Sequence, residues 1–78
     1  MRFMPLKDRT LRRFGLNVAR ARETKGLSQD KLAEKADIDR TYLSGIERGV
    51  RNPGIKTVIR LSKALDAGVE KLCEGIGE

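Results

Sequence analysis

A chain of 78 residues has room for one domain with a small core, near the lower limit of what folds without a disulfide or a metal. With 38% hydrophobic and 4% aromatic residues that core is built from Leu, Ile, Val and Ala, which suits packed helices better than facing sheets; one cysteine, Cys73, and no histidine exclude an internal disulfide and a zinc site of ordinary composition. The formal charge is +6, and residues 1–25 hold the whole surplus, with eight Lys/Arg against Asp8 and Glu23, whereas residues 26–53 and 54–78 are each neutral; a basic balance of this kind favours a polyanionic partner without specifying one.

Met1 to Lys7 has no hydrophobic period and is expected to be a flexible basic arm. Met1 to Arg13 also lacks the apolar run of a signal peptide, and no stretch approaches the ~20 apolar residues of a membrane span. A reducing cytoplasm is therefore the expected compartment. From Asp8 a helix is predicted to run to Thr24, with Leu11, Phe14, Val18 and Ala21 forming one buried stripe. Gly15 weakens it by up to ~1 kcal/mol relative to Ala and marks a place where it can break. Lys25-Gly26 closes this helix, Gly26 as a left-handed cap, and Arg20 and Arg22 sit where positive charge meets the negative end of the helix dipole.

Ser28 and Asp39 each precede a short apolar-periodic run and can accept a backbone N–H that the first turn leaves unpaired. Between Gln29 and Arg48, Leu32, Ala33, Ala36, Ile38, Leu43 and Ile46 recur at spacings of three and four on either side of a tight turn, so two helices present facing apolar surfaces. That arrangement is a helix-turn-helix. The second of the two begins at Arg40 and ends before Gly49, too short to be stable alone, so flanking segments must hold it. Arg40, Arg48 and Arg51 lie on or beside it, while Asp30, Glu34 and Asp37 belong to the preceding helix and the turn.

Val50 to Gly54 is a loop, since Pro53 cannot lie inside a helix. A fourth helix follows from Ile55 to Leu65, apolar at Ile55, Val58, Ile59, Leu61 and Leu65 and expected to be central to the core. Asp66-Ala67-Gly68 interrupts it. Val69, Leu72, Cys73 and Ile76 then recur at helical spacing over residues 69–76, with Gly75 and Gly77 fraying the end. The expected fold is all-α, five helices in a single domain spanning residues 1–78.

The run Gly26-Leu27-Ser28-Gln29, then Lys31-Leu32-Ala33, Leu43, Ile46-Glu47-Arg48-Gly49, Asn52-Pro53 and Lys63-Ala64-Leu65 resembles the Cro/cI (XRE) family of helix-turn-helix repressors, and so implies a lambda-repressor-like DNA-binding domain. Asp39 to Arg48 with Arg51-Asn52 is similar to the controller proteins of bacterial restriction–modification systems, although phage and chromosomal regulators use close variants of the same helix. Asp37 stands where the family often has glycine. Aspartate is among the few residues that tolerate a left-handed conformation, so the turn is expected to survive.

The resemblance implies roles residue by residue. Arg40 and Thr41, in the first turn of the recognition helix, would read bases, Arg40 by bidentate bonds to guanine and Thr41 through a methyl contact with thymine; Ser44 would read more weakly. Gln29 would bond a phosphate, and Tyr42 would lie against the sugar-phosphate backbone or be half-packed on the preceding helix. Arg48, Arg51, Asn52 and Lys56 would hold the DNA backbone, which positions the domain without reading sequence. Arg22 and Glu47 stand where related repressors form a structural ion pair. Gly45 removes a base-reading side chain that some relatives carry here.

The partners so implied are double-stranded DNA, a second copy of the chain and, for a transcriptional regulator, RNA polymerase; no membrane, small-molecule ligand, cofactor or metal is expected. Two copies are needed because one domain contacts too few base edges for useful specificity. Val69, Leu72, Cys73 and Ile76, with the Leu61 and Leu65 end of the fourth helix, are the expected homodimer interface. The rival reading within the family is an antitoxin that covers a toxin as well as DNA. An enzyme is not expected, because the chain has no histidine, one cysteine on an apolar stripe and carboxylates that read as caps and surface charges.

Overall fold

The structure, a computed structural model, describes residues 8–77. It contains five helices, α1 (Arg9–Thr24), α2 (Gln29–Ala36), α3 (Arg40–Glu47), α4 (Ile55–Leu65) and α5 (Val69–Leu72). The basic arm expected over residues 1–7 lies outside the described residues.

The helix starts follow the capping chemistry. Asp8, Ser28 and Asp39 are extended and accept from the amides of Leu11, Lys31 and Thr41 at 3.0, 3.1 and 3.1 Å. The C-termini of the first four helices share one solution, a left-handed residue whose amide bonds three residues back while the next amide reaches five back: Leu27 N–H to Arg22 O, Ile38 N–H to Ala33 O, Val50 N–H to Gly45 O and Ala67 N–H to Ser62 O. Gly26 and Gly49 supply that residue after α1 and α3, and Asp37 (φ 58°) and Asp66 (φ 53°) after α2 and α4. The tight turn between α2 and α3 thus survives without glycine, and a second aspartate does the same work at the end of α4.

One apolar cluster joins all five helices. Phe14 and Val18 of α1, Leu32, Ala33 and Ala36 of α2, Leu43 and Ile46 of α3, Val58, Leu61 and Leu65 of α4, and Leu72 of α5 are its buried members. α1 continues unbroken through Gly15. α4 contributes Val58, Leu61 and Leu65 to the core, while Ile55 is 67% and Ile59 41% exposed. On one helix three inward positions at i, i+3 and i+7 fill the interior, and two apolar residues on the flank have nothing to cover them.

The C-terminal segment also differs from expectation. α5 ends at Leu72, followed by turns through Gly77. The side-chain amide of Asn17 on α1 donates to the carbonyls of Leu72 (2.8 Å) and Glu74 (2.9 Å), satisfying two groups that the helix end leaves open. Leu72 is 0% exposed. Its placement at a dimer interface is therefore corrected, and with it that of Leu61 and Leu65, because all three fill the interior of the single chain. Val69 and Ile76 are half-buried against the same cluster, and Cys73 is exposed.

Candidate nucleic-acid interface

The helix-turn-helix is held from behind by one carboxylate. Glu47, the last residue of α3, has a side chain only 6% exposed, and its two oxygens are fully engaged. Arg22 on α1 donates Nε–H to Oε2 at 2.8 Å and Nη2–H to Oε1 at 3.1 Å, a bidentate fork, while Gln29 at the start of α2 donates Nε2–H to Oε1 at 2.9 Å. A third arm of Arg22, Nη1–H, donates to the Leu27 carbonyl at 2.8 Å. The hydrogen bond to Glu47, ahead of the opposing effect of burial, raises the Arg22 pKa above its ordinary value. Four segments are fixed by this network: α1, the loop before α2, the first residue of α2 and the end of α3.

Two glycines allow the close packing that surrounds it. At Gly15 a Cβ would meet the carbonyl oxygens of Ile46 and Glu47, the latter at 2.6 Å, so α1 crosses the C-terminal turn of α3 with backbone against backbone. At Gly45 a Cβ would lie 2.5 Å from Cγ of Arg51, whose stem runs across the face of α3 that a side chain would otherwise occupy. The absent base-reading side chain at position 45 is thus exchanged for an aliphatic strut that steadies Arg51.

Of the residues expected to read bases, Arg40 and Thr41 lie exposed in the first turn of α3. Arg40 Nε stands 3.1 Å from Asp30 of α2, both side chains more than half exposed. A pair so open to solvent contributes at most ~1 kcal/mol, which leaves the guanidinium available to another acceptor. Ser44 is half-buried, and its hydroxyl accepts from Arg48 Nε at 3.4 Å. Tyr42 is half-buried against the core, so of its two expected arrangements the packed one is seen in the free chain.

Arg48, Arg51, Asn52 and Lys56 are all exposed around the end of α3 and the following loop, and among the described residues no carboxylate lies within 4 Å of Arg48, Arg51 or Lys56. Gln29 keeps a second amide hydrogen after bonding Glu47, because a carboxamide nitrogen has two. Sequence reasoning marked Gly15 as a weak point and missed its close approach to α3, and it missed Asn17 and the Arg40–Asp30 pair. For Gly15 and Asn17 the local sign was a small or polar residue beside the α1 stripe, which says nothing about the partner.

A family model described as Helix-turn-helix, HTH_3, matches residues 18–72. The chain is 47% identical over 53 residues to the control protein C.BamHI of Bacillus amyloliquefaciens, covering 67% of this chain and 65%, just under two thirds, of that protein. It is 39% identical over 61 residues to the HTH-type transcriptional regulator SinR of Bacillus subtilis, covering 77% of this chain and 55% of SinR. Among solved structures, the restriction-modification controller protein C.AhdI of Aeromonas hydrophila superposes with a TM-score of 0.78 at 40% identity, covering 80% of this chain and 94% of the other. Taken with five helices in the expected order and the Arg22–Glu47–Gln29 network behind α3, these likenesses make the chain a member of the HTH_3, XRE-type helix-turn-helix family.

Proposed function

We propose that this chain is a sequence-specific, double-stranded-DNA-binding transcriptional regulator of the restriction–modification control type, a non-enzymatic cytoplasmic protein that acts as a homodimer on a pseudo-palindromic operator. The observation that carries the proposal is the geometry of α3: its first turn presents Arg40 and Thr41 to solvent, while its other end is locked by the buried Glu47 network. A rigid rod with a polar, unobstructed N-terminal turn fits a major groove about 12 Å wide. Arg40 exchanges Asp30 for guanine O6 and N7, Thr41 offers its methyl group, and Ser44 contributes as a weaker reader. Gln29 gives its second amide hydrogen to a phosphate, and Arg48, Arg51, Asn52 and Lys56 form the remaining backbone contacts around the loop.

The second copy seats on the exposed flank of α4. Ile55 and Ile59, one turn apart, and Val50 in the preceding loop are 67%, 41% and 51% exposed, apolar surface that a solvated monomer gains nothing by displaying. Because α4 starts directly after the loop that carries Arg51 and Asn52, with Lys56 in its first turn, a two-fold axis there brings both loops onto one side of the dimer. Two recognition helices then face successive major grooves about 34 Å apart. A transcriptional regulator so placed would meet RNA polymerase as a further partner.

Selection from a randomised duplex library, followed by gel shift with competitor DNA, tests the reading. A two-fold symmetric motif is expected, bound by two chains. With six to ten phosphates neutralised per dimer, affinity should fall roughly 10³–10⁵-fold between 50 and 200 mM salt. Failure to enrich any motif, or a flat salt response, would overturn the proposal.

A further inference from the structure

The surplus positive charge of this chain does not sit in its helix-turn-helix, which is balanced, but before it. α1 crosses the end of α3 at Gly15, so its first two turns project past that end. There Arg9, Arg12 and Arg13 line an open cleft of about 870 Å³ together with Arg48 and with Gly75 to Gly77. Arg12 packs directly over Gly49, where a Cβ would come within 2.8 Å of its Cγ, so the arginine row is joined to the C-terminal turn of α3 without an intervening layer.

All four of these arginines are exposed, and among the described residues none lies within 4 Å of a carboxylate. Glu47, the one acidic residue lining the cleft among the described residues, has both oxygens taken by Arg22 and Gln29. Four guanidinium groups around one cleft, their donors open to solvent apart from Arg48 Nε on the Ser44 hydroxyl, repel one another, and an anion with several oxygens relieves that repulsion while matching the forks. A polyphosphate backbone meets this requirement along its length. Arg48 already belongs to the phosphate-contacting rim of the proposed DNA surface, which makes the cleft a continuation of that rim and not a separate site.

We infer that the Arg9, Arg12, Arg13 and Arg48 cleft grips the DNA backbone outside each half-site, so that the protein covers and senses duplex beyond the bases it reads. This rests on the DNA-binding reading above. It also accounts for a motif that is neutral in a chain of charge +6: α3 supplies sequence discrimination, and the start of α1 supplies the field and the contacts that hold the flanks.

The test compares the wild type with R9Q/R13Q, which keeps the aliphatic stems and leaves Arg12 on Gly49 and Arg48 untouched. Each is titrated with the selected operator duplex cut at the half-site edges and with the same duplex extended by about half a helical turn, roughly 5 base pairs, at both ends. The wild type should bind the extended duplex about tenfold more tightly than the short one, and R9Q/R13Q should lose that gain while binding the short duplex as the wild type does. The salt slope on the extended duplex should fall by roughly two per chain, since each neutralised phosphate contributes about 0.9. If wild type and R9Q/R13Q bind both duplexes equally, the flank contact is wrong although the DNA-binding reading stands. Binding of acidic peptide with no DNA-length effect would likewise overturn it, and absence of any operator binding by the wild type would remove the reading beneath it. An unchanged melting temperature of R9Q/R13Q keeps the comparison free of folding effects.

Discussion

Arg22 and Glu47 meet through two parallel N–H···O bonds with side chains only 14% and 6% exposed, and Gln29 completes the coordination of the carboxylate. Removing one partner of such a pair strands the other charge in the interior. Glu47→Ala is therefore expected to cost ~3–5 kcal/mol of the ~5–15 kcal/mol that a domain has, read as a large drop in melting temperature. A midpoint within a degree or two of the wild type would mean that the network positions α3 without stabilising it.

Gly15 gives a prediction whose sign opposes local propensity. Alanine in a helix interior is favoured over glycine by up to ~1 kcal/mol. Here, however, the added methyl would meet the carbonyl oxygens of Ile46 and Glu47, and forcing α1 away from α3 should destabilise by ~1–3 kcal/mol. Urea denaturation of Gly15→Ala decides it, because a raised midpoint would show that the two helices separate freely.

Asp37 points the other way. It holds φ 58° at the turn between α2 and α3, a conformation that costs an L-residue ~1–2 kcal/mol, offset in glycine by the greater entropy lost on folding. Asp37→Gly should raise stability by up to ~1 kcal/mol without changing DNA affinity. Thermal unfolding in parallel with Asp66→Gly, at the equivalent position after α4 (φ 53°), checks whether the same reasoning holds at both sites; a loss of stability in both would refute it.

What the sequence made legible was the chemistry that acts within a few residues. Ser28 and Asp39 announce helix starts because their oxygens reach amides two or three residues ahead, and Gly26 and Gly49 announce ends because the left-handed conformation is theirs without strain. The end of α1, the start of α2 and both ends of α3 follow from that alone. The Arg22–Glu47 pair, 25 residues apart, was reached only through family resemblance, since nothing local joins the two. Leu72 and Ile55 show the limit from opposite sides. Each lies on a plausible apolar stripe, yet one is fully buried and the other two-thirds exposed, because burial depends on which helix crosses which. Asn17 is the same case in polar form: its partners, the carbonyls of Leu72 and Glu74, are 55 and 57 residues away.

Arg40 and Arg51 should separate reading from holding. Arg40→Ala removes a bidentate base contact, with an expected cost of ~1–3 kcal/mol at the selected site and relaxed preference at one base pair in each half. Arg51→Ala, on its Gly45 strut, should weaken binding to all sequences alike and lower the salt slope by about one per chain. Repeating the selection with each variant is the measurement. An unchanged motif for Arg40→Ala would transfer base reading elsewhere on α3.

The dimer surface is tested by substitutions that the burial pattern sorts into two kinds. Ile59 is 41% exposed on the flank of α4, so glutamate there can turn its carboxylate to water in the monomer, whereas at the centre of a two-fold interface the same charge would face its own copy without a partner. Ile59→Glu should therefore keep a native melting profile at low protein concentration, sediment as a single 8.7 kDa chain under conditions where the wild type is dimeric, and lose most of its operator affinity while retaining weak half-site binding. Leu72→Glu should behave differently, because Leu72 is 0% exposed in the single chain: a buried, unpaired carboxylate there unfolds the domain whatever its oligomeric state. Sedimentation and circular dichroism of the two variants side by side separate interface from core. A dimeric Ile59→Glu would move the second copy off this flank of α4, and a folded, monomeric Leu72→Glu would return the interface to α5.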